Sequence, residues 1–288
     1  MINRSRNQIA KLLLCTCLSL FTLFVQAQDA TSNLISIVQD MHTEIICKSM
    51  TQSVEKQSIT ITILNRKGIE DARFICRCDM FNSLQKFSGE IFNGAGQSVR
   101  KIKKSDLQKS EYSSSLTSDD YFYVYDCNYP SLPFTVQYEW EVKCTNGLIS
   151  YPPFLPQFSF DQRVEKASYR IELPAGQTCR YYEQYTKGKN IQVKESTGPN
   201  GRQIIEATAI KLSPIEKEPF GPSFAQLFPR VYFSPSAFQY DKTVGDMSTW
   251  QKFGEWQNKL LEGRDLLTEP FRNSLHELTA HCSTEREK

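Results

Sequence analysis

The chain has no apolar run long enough to cross a bilayer as a helix, which takes ~20 residues. Its longest, Leu12 to Val25, has fourteen. It also lacks an excess of charge, with 34 Lys and Arg against 32 Asp and Glu. Near-neutrality removes the electrostatic reason to expect nucleic acid or an anionic membrane surface as a partner. Histidine is scarce, at three residues, and no pair of cysteines has the C-x₂₋₄-C spacing of a zinc site. Gly94-x-Gly96 lacks the third glycine and the following helix of a phosphate-binding loop, so it reads as a hairpin turn. No repeat of fixed period is present. These absences leave no cofactor, no metal and no catalytic residue to assign.

The amino terminus carries a targeting signal. Arg4, Arg6 and Lys11 precede the apolar run, and Val25-Gln26-Ala27 offers small residues where a signal peptidase reads, so cleavage is expected between Ala27 and Gln28. A membrane anchor is disfavoured by the length of the run. A lipoprotein signal is disfavoured because Cys15 and Cys17 lie deep inside it. The mature chain would keep 31 basic and 32 acidic residues. It would be exported, periplasmic or extracellular, with no membrane span.

Seven cysteines remain beyond that point: Cys47, Cys76, Cys78, Cys127, Cys144, Cys179 and Cys282. The odd number leaves at least one thiol without an intrachain partner. Cys144 falls on an apolar strand face, and Cys76 and Cys78 share a face with Phe74 and Met80. Most are expected to be small core residues. The alternative is a single Cys127–Cys144 disulfide on neighbouring strands.

The clearest structural signal is Phe134 to Asn146. Phe134, Val136, Tyr138, Trp140, Val142 and Cys144 alternate with polar residues. Period two over eleven residues predicts a strand with one dry face, ~35 Å long. Asn146-Gly147 then predicts a hairpin, with Leu148 to Tyr151 pairing back until Pro152 and Pro153 end it. Residues 28–50 read as a loose helix, with Leu34, Ile37, Val38 and Met41 at helical spacing; His42 there reads as a surface residue. Strands are predicted at Val54–Leu64, Phe74–Met80, Phe87–Phe92, Gln97–Ile102 and Tyr121–Cys127. Further strands at Gln162–Leu173, Cys179–Tyr185, Asn190–Glu195 and Gly201–Leu212 read as a meander. Asn65 to Gly68 reads as a turn needing φ > 0 at the glycine. The basic run Arg100 to Lys104 reads as a solvated strand end, and residues 105–118 as a long surface loop. Five prolines between residues 213 and 235 make an extended strap with a short strand at Arg230–Phe233.

About ten short strands with frequent turns predict an all-β fold: an antiparallel β-sandwich, immunoglobulin-like or a larger meander. The expected organisation is a signal peptide at 1–27, a sandwich at 28–240 and a helical extension at 241–288. In the extension, Ser248-x-x-Gln251 reads as a capping box. Trp250, Phe253 and Trp256 recur at helical spacing, and Gly263 marks a C-cap. Thr268-Glu269-Pro270 opens a second helix bearing Phe271, Leu275 and Leu278. These six apolar residues form the candidate interaction surface. Thr284-x-x-Glu287 is a further capping box, which predicts that the segment leads into a region beyond it.

Several ordered stretches carry a resemblance: Phe87 to Phe92, Lys101 to Asp106, Phe134 to Lys143, Asn146 to Pro152, Pro156-Gln157, Val164 to Tyr169 and Ser248 to Trp256. Together, over roughly residues 50–288, the chain resembles the domain of unknown function 3857. That resemblance implies a β-sandwich in an exported bacterial protein, preceding a transglutaminase-like core with Cys, His and Asp. No such core is recognisable here. His281 beside Cys282 cannot readily form a nucleophile–base pair, because adjacent helical side chains diverge by ~100°. His276 is no better placed. Asp119-Asp120 falls on a loop and Glu139/Glu141 on a wet strand face, so neither pair reads as an acid–base couple. The function expected is therefore a non-catalytic module acting through a protein partner, which the resemblance implies is a transglutaminase-like protein. The alternatives are a peptide- or glycan-binding envelope module, using Tyr181, Tyr182 and Tyr185, or a fragment of a transglutaminase-like enzyme.

Overall fold

The computed structural model describes residues 33–111, 119–264 and 266–286. The targeting segment with Ala27 and Gln28, residues 112–118 of the expected loop and Glu287 of the last capping box lie outside the described residues.

The alternation around Tyr138 produces β8 (Phe134–Thr145), the centre of the fold. It pairs antiparallel on one side with β2 (Gln52–Ile63) and on the other with β4 (Asn82–Phe92). With β1 (Ser36–Ser49), β5 (Ser98–Lys103), β10 (Gln162–Glu172), β12 (Ile191–Thr197) and β13 (Gln203–Leu212), they build an eight-stranded sheet. Its order is β12-β13-β10-β1-β2-β8-β4-β5. Along β8, Phe134, Val136, Tyr138, Val142 and Cys144 are buried, and Trp140 is half-buried against the same core. The Tyr138 hydroxyl donates to the Ala72 carbonyl at 2.8 Å, which satisfies its buried polar end.

Two three-stranded sheets lie side by side over the dry face. One has the order β3-β7-β6, with β3 (Phe74–Cys78), β6 (Gln108–Ser110) and β7 (Tyr121–Tyr125). Phe74 reaches Phe87, Tyr138 and Trp140, with ring centroids 4.5 to 5.5 Å apart. The other has the order β11-β14-β9, with β9 (Tyr151–Phe154), β11 (Cys179–Gln184) and β14 (Arg230–Pro235). Phe233 stacks on Tyr169 at 4.4 Å. The architecture is thus a mostly antiparallel sandwich. The loop at 93–96 is the expected hairpin turn, with Gly96 at φ 77° and the Asn93 side chain accepting from Ala95 and Gln97.

Several expectations are corrected. Residues 36–49 are a strand, not a helix. A β-bulge between Val38 and Asp40 shifts the phase, so inward positions run Val38, Met41, Thr43, Ile45. The resulting mixture of steps mimics helical spacing. β1 also pairs parallel with β10, the one parallel ladder among the described strands. Asn146-Gly147 does not close a hairpin: Asn146 takes the left-handed conformation, φ 61°, but β9 crosses to pair with β14 in the other layer. Gly147 bridges Tyr240 instead, and a Cβ there would strike Phe81. Pro152 and Pro153 lie within β9, where an edge strand tolerates the missing N–H groups. The meander is interrupted because β11 leaves for β14. Gly68 sits in a 3₁₀ helix, Arg66–Ala72, without a positive φ; a side chain there would meet the Ile35 carbonyl. Met80 turns away from the Cys76–Cys78 face and is exposed.

After β14 the chain forms the hairpin β15 (Ala237–Tyr240) and β16 (Thr243–Asp246). A one-turn helix, α1 (Phe224–Leu227), precedes β14, and two longer helices follow the hairpin: α2 (Trp250–Leu261) and α3 (Glu269–Thr279). Thr249, not Ser248, caps α2: its hydroxyl accepts from Lys252 N–H at 3.2 Å. Gly263 at φ 73° ends α2, and Thr268 with Pro270 opens α3 as expected. Among the described residues, no helix is long and apolar enough to cross a membrane.

Candidate functional site

The six apolar residues of the C-terminal helices do not form one surface. Trp256 is buried: its indole N–H donates to Thr243 Oγ1 at 3.1 Å and its ring packs edge-on against Phe238 at 4.9 Å. Phe253, half-buried, leans on Trp256. These two anchor α2 to the β15–β16 hairpin. Trp250, on the other side of α2, is 89% exposed. With Arg180, Ser234, Met247 and Phe253 it lines a groove of about 440 Å³. Helix α3 buries no residue. Phe271, Leu275 and Leu278 on it are all exposed, and Leu266 and Leu267 just before it are exposed as well.

The alternative tyrosine platform separates. Tyr181 stands opposite Phe233 and Tyr182 opposite Tyr232, on alternate faces of the β11–β14 ladder. Tyr185 lies beyond β11 in the left-handed conformation.

The polar candidates take structural roles. Asp120 grips Arg77 through both oxygens at 2.9 and 2.8 Å, and Asp119 accepts from Met80 N–H. Glu141 pairs with Lys86 on the wet face beside exposed Glu139. His42 Nδ1 lies 2.9 Å from Ser168 Oγ on that face. Arg100 and Lys104 lie over the rings of Tyr125 and Tyr123 from β7. Among the described residues there is no group of three or more metal-ligating side chains.

Six cysteines, Cys47, Cys76, Cys78, Cys127, Cys144 and Cys179, are buried thiols, and the Cys127–Cys144 bridge does not form. Cys127 lies beside Tyr138, six residues along β8 from Cys144, a separation of ~20 Å along the strand. Burial pushes Cys47, Cys127 and Cys144 up to about 11 and Cys179 to about 12. Cys78 is held below the usual thiol range, first by its contact with Cys76.

A site absent from the sequence reading lies in the seam between the two small sheets. A cleft of about 530 Å³ opens there. Cys76 and Arg77 of β3 form one wall, Tyr151 to Pro153 the other, and Phe81 and Tyr240 the rim. Its floor is the large sheet, with Ile45, Glu55, Gln57, Trp140 and Val142. Glu55 has protein on nearly every side yet is only half-buried, because the cleft reaches it. Desolvation pushes its carboxyl from 4.5 up to about 7, against the pull of a hydrogen bond from the Gln57 side chain. The signal was available: the parity of Ile59, Ile61 and Ile63, extended backwards, puts Gln57 and Glu55 on the dry face.

Residues 51–216 match the family described as a domain of unknown function with a solved structure, domain of unknown function 3857. The chain belongs to this family. No curated protein matches it. Among solved structures, this domain of unknown function 3857 protein is similar to a Parabacteroides distasonis protein provisionally described as a protease. Identity is 13%, the TM-score is 0.60, and the match covers 88% of this chain and 48% of that one. An M1 zinc metallopeptidase from Deinococcus radiodurans matches at 9% identity and TM-score 0.29, covering 70% and 42% of the two chains. The chain spans about half the length of the Parabacteroides protein. At 13% identity the likeness to the Parabacteroides protein shows the fold alone.

Proposed function

We propose that this domain of unknown function 3857 protein is a non-catalytic, exported module that acts by protein interaction through its C-terminal helices, with a transglutaminase-like domain as partner. The observation that carries the reading is α3. Phe271 and Leu278 are 54% and 68% exposed, and Leu275 lies between them on the same stripe. An amphipathic helix gains its stability by burying such a stripe. Helix α2 contrasts with it, since Trp256 already holds α2 to the hairpin. The reading thus narrows the surface from six residues to Trp250, Phe271, Leu275 and Leu278. The choice of partner rests on the family resemblance alone. Export rests on the targeting segment before Gln28.

Hydrogen exchange tests the surface, on the chain alone and with a purified transglutaminase-like domain added. The expected result is fast exchange over 266–279 in the isolated chain, slowed by the partner, with 250–261 little changed. Slow exchange over α3 in the isolated monomer, unaltered by the partner, overturns the reading. Amino-terminal sequencing of the secreted chain should begin at Gln28.

A further inference from the structure

The register of the large sheet places Glu55 in a row of aliphatic side chains. Reading across adjacent strands, the row runs Ile205, Ile171, Ile45, Glu55, Val142, Leu84. A carboxylate in such a row loses water on both flanks, at a cost that a buried charge recovers only from a partner. Among the described residues the protein supplies no cation. Lys56 points to the opposite face, towards Glu44, and the Arg77 guanidinium at the cleft wall is engaged by Asp120. Among the described residues, the side-chain hydrogen bond to Glu55 comes from Gln57, a neutral amide on its own strand.

The sheet does not close over this carboxylate. The two small sheets part above it, and the opening is of a size that small-molecule sites use, ~300–1,000 Å³. Its chemistry selects among ligands. Asp79 at the rim adds a second carboxylate, already accepting from Phe81 N–H and Asn82, which disfavours an anion. Among the described residues the metal-ligating side chains do not cluster, which disfavours a metal ion held by the protein alone. Trp140, Tyr151, Tyr240 and Phe81 supply aromatic surface, and Ile45 and Val142 an aliphatic floor. A cation on an apolar stem matches all of these: aromatic faces attract it, the floor accepts the stem and a carboxylate stands at the end.

We infer that the seam between the small sheets is a binding site for a small organic cation, a primary ammonium group on an aliphatic stem, with the Glu55 carboxylate as its counter-ion. The site is independent of the helical surface and stands or falls separately from it. Tyr240 does connect the two regions, lying 5.0 Å from Phe81 and 6.3 Å from Trp256 between ring centroids.

The test is an NMR titration of the full mature chain at pH 8 with n-pentylamine, with pentan-1-ol and valerate as controls. Backbone shifts at Gln57 and Val142 and the Trp140 indole N–H report the site. Saturable shifts with the amine alone are expected, weakened about tenfold or more in Glu55→Gln. Following the Glu55 carboxyl carbon in the wild-type chain gives a second reading without any substitution: the amine should lower its titration midpoint. No saturable shift with the amine, equal binding of pentan-1-ol, unchanged amine binding in Glu55→Gln, or an unmoved carboxyl midpoint would each overturn the inference.

Discussion

Replacing Glu55 with glutamine should stabilise the protein, and only above a definite pH. The two side chains are nearly equal in size, so the row of aliphatic neighbours is left undisturbed. What changes is the charge. The folded carboxyl titrates at about 7 and the unfolded one near 4.5. The folded state therefore holds this proton more tightly. Stability falls as pH rises from 4.5 through 7 and then levels off. The gap of about 2.5 units corresponds to about 3 kcal/mol at pH 8, an upper estimate because the cleft admits water. Glutamine carries no such penalty. The difference in unfolding free energy between Glu55→Gln and wild type should be near its minimum at pH 4.5 and grow by about 3 kcal/mol by pH 8. Urea denaturation at a series of pH values measures it. Buried Cys47, Cys144, Tyr151 and Tyr169 are all pushed upward and stay neutral in this range. Cys78, held low beside Cys76, is common to both proteins and largely drops out of the difference. A difference that is flat with pH, or a variant less stable than wild type at pH 8, would refute the placement of an uncompensated carboxylate on the sheet floor.

Three further outcomes follow from the packing. Trp256→Ala should destabilise the hairpin–helix segment by about 3–5 kcal/mol, read as faster exchange over 237–261, whereas Trp250→Ala should change it by less than about 0.5 kcal/mol. On β8, Trp140→Ala should cost about 2–3 kcal/mol, below the cost of a fully buried aromatic, while Glu139→Ala costs almost nothing; equal shifts in thermal midpoint would mean the strand register is wrong. Thiol counting on the denatured, non-reduced chain should find at least six reactive cysteines, nearly all silent in the native state; three disulfides would contradict the core assignment.

Much of the fold was legible because it is local. The alternation from Phe134 to Cys144 depends on nothing but strand geometry, and so do the turn at Asn93–Gly96 and the Thr268-Glu269-Pro270 helix start. The misreadings share a cause. In β1 a single bulged residue reset the parity, so a strand carried helical spacing. Asn146-Gly147 has the residues of a hairpin, but the chain after it found a better partner in β14, eighty residues away. The Cys127–Cys144 pairing failed because proximity in sequence said nothing of their offset along β8.

Backbone period and local capping were enough to place the dry face of β8, the opening of α3 at Thr268 and most cysteines in the core, but not to read β1 as a strand or to choose Thr249 over Ser248 as the cap of α2. Tertiary structure alone decided the parallel β1–β10 ladder, the division of the upper layer into two sheets and which apolar helix residues are spent on packing. It also decided the meaning of Glu55. A glutamate on a dry face is a liability or a site according to what lies above it. Here β3, drawn from residues 74–78, and β9, from residues 151–154, settle on different parts of one large sheet and leave a seam over that carboxylate. Such a gap is set by long-range pairing, which no short stretch of sequence encodes.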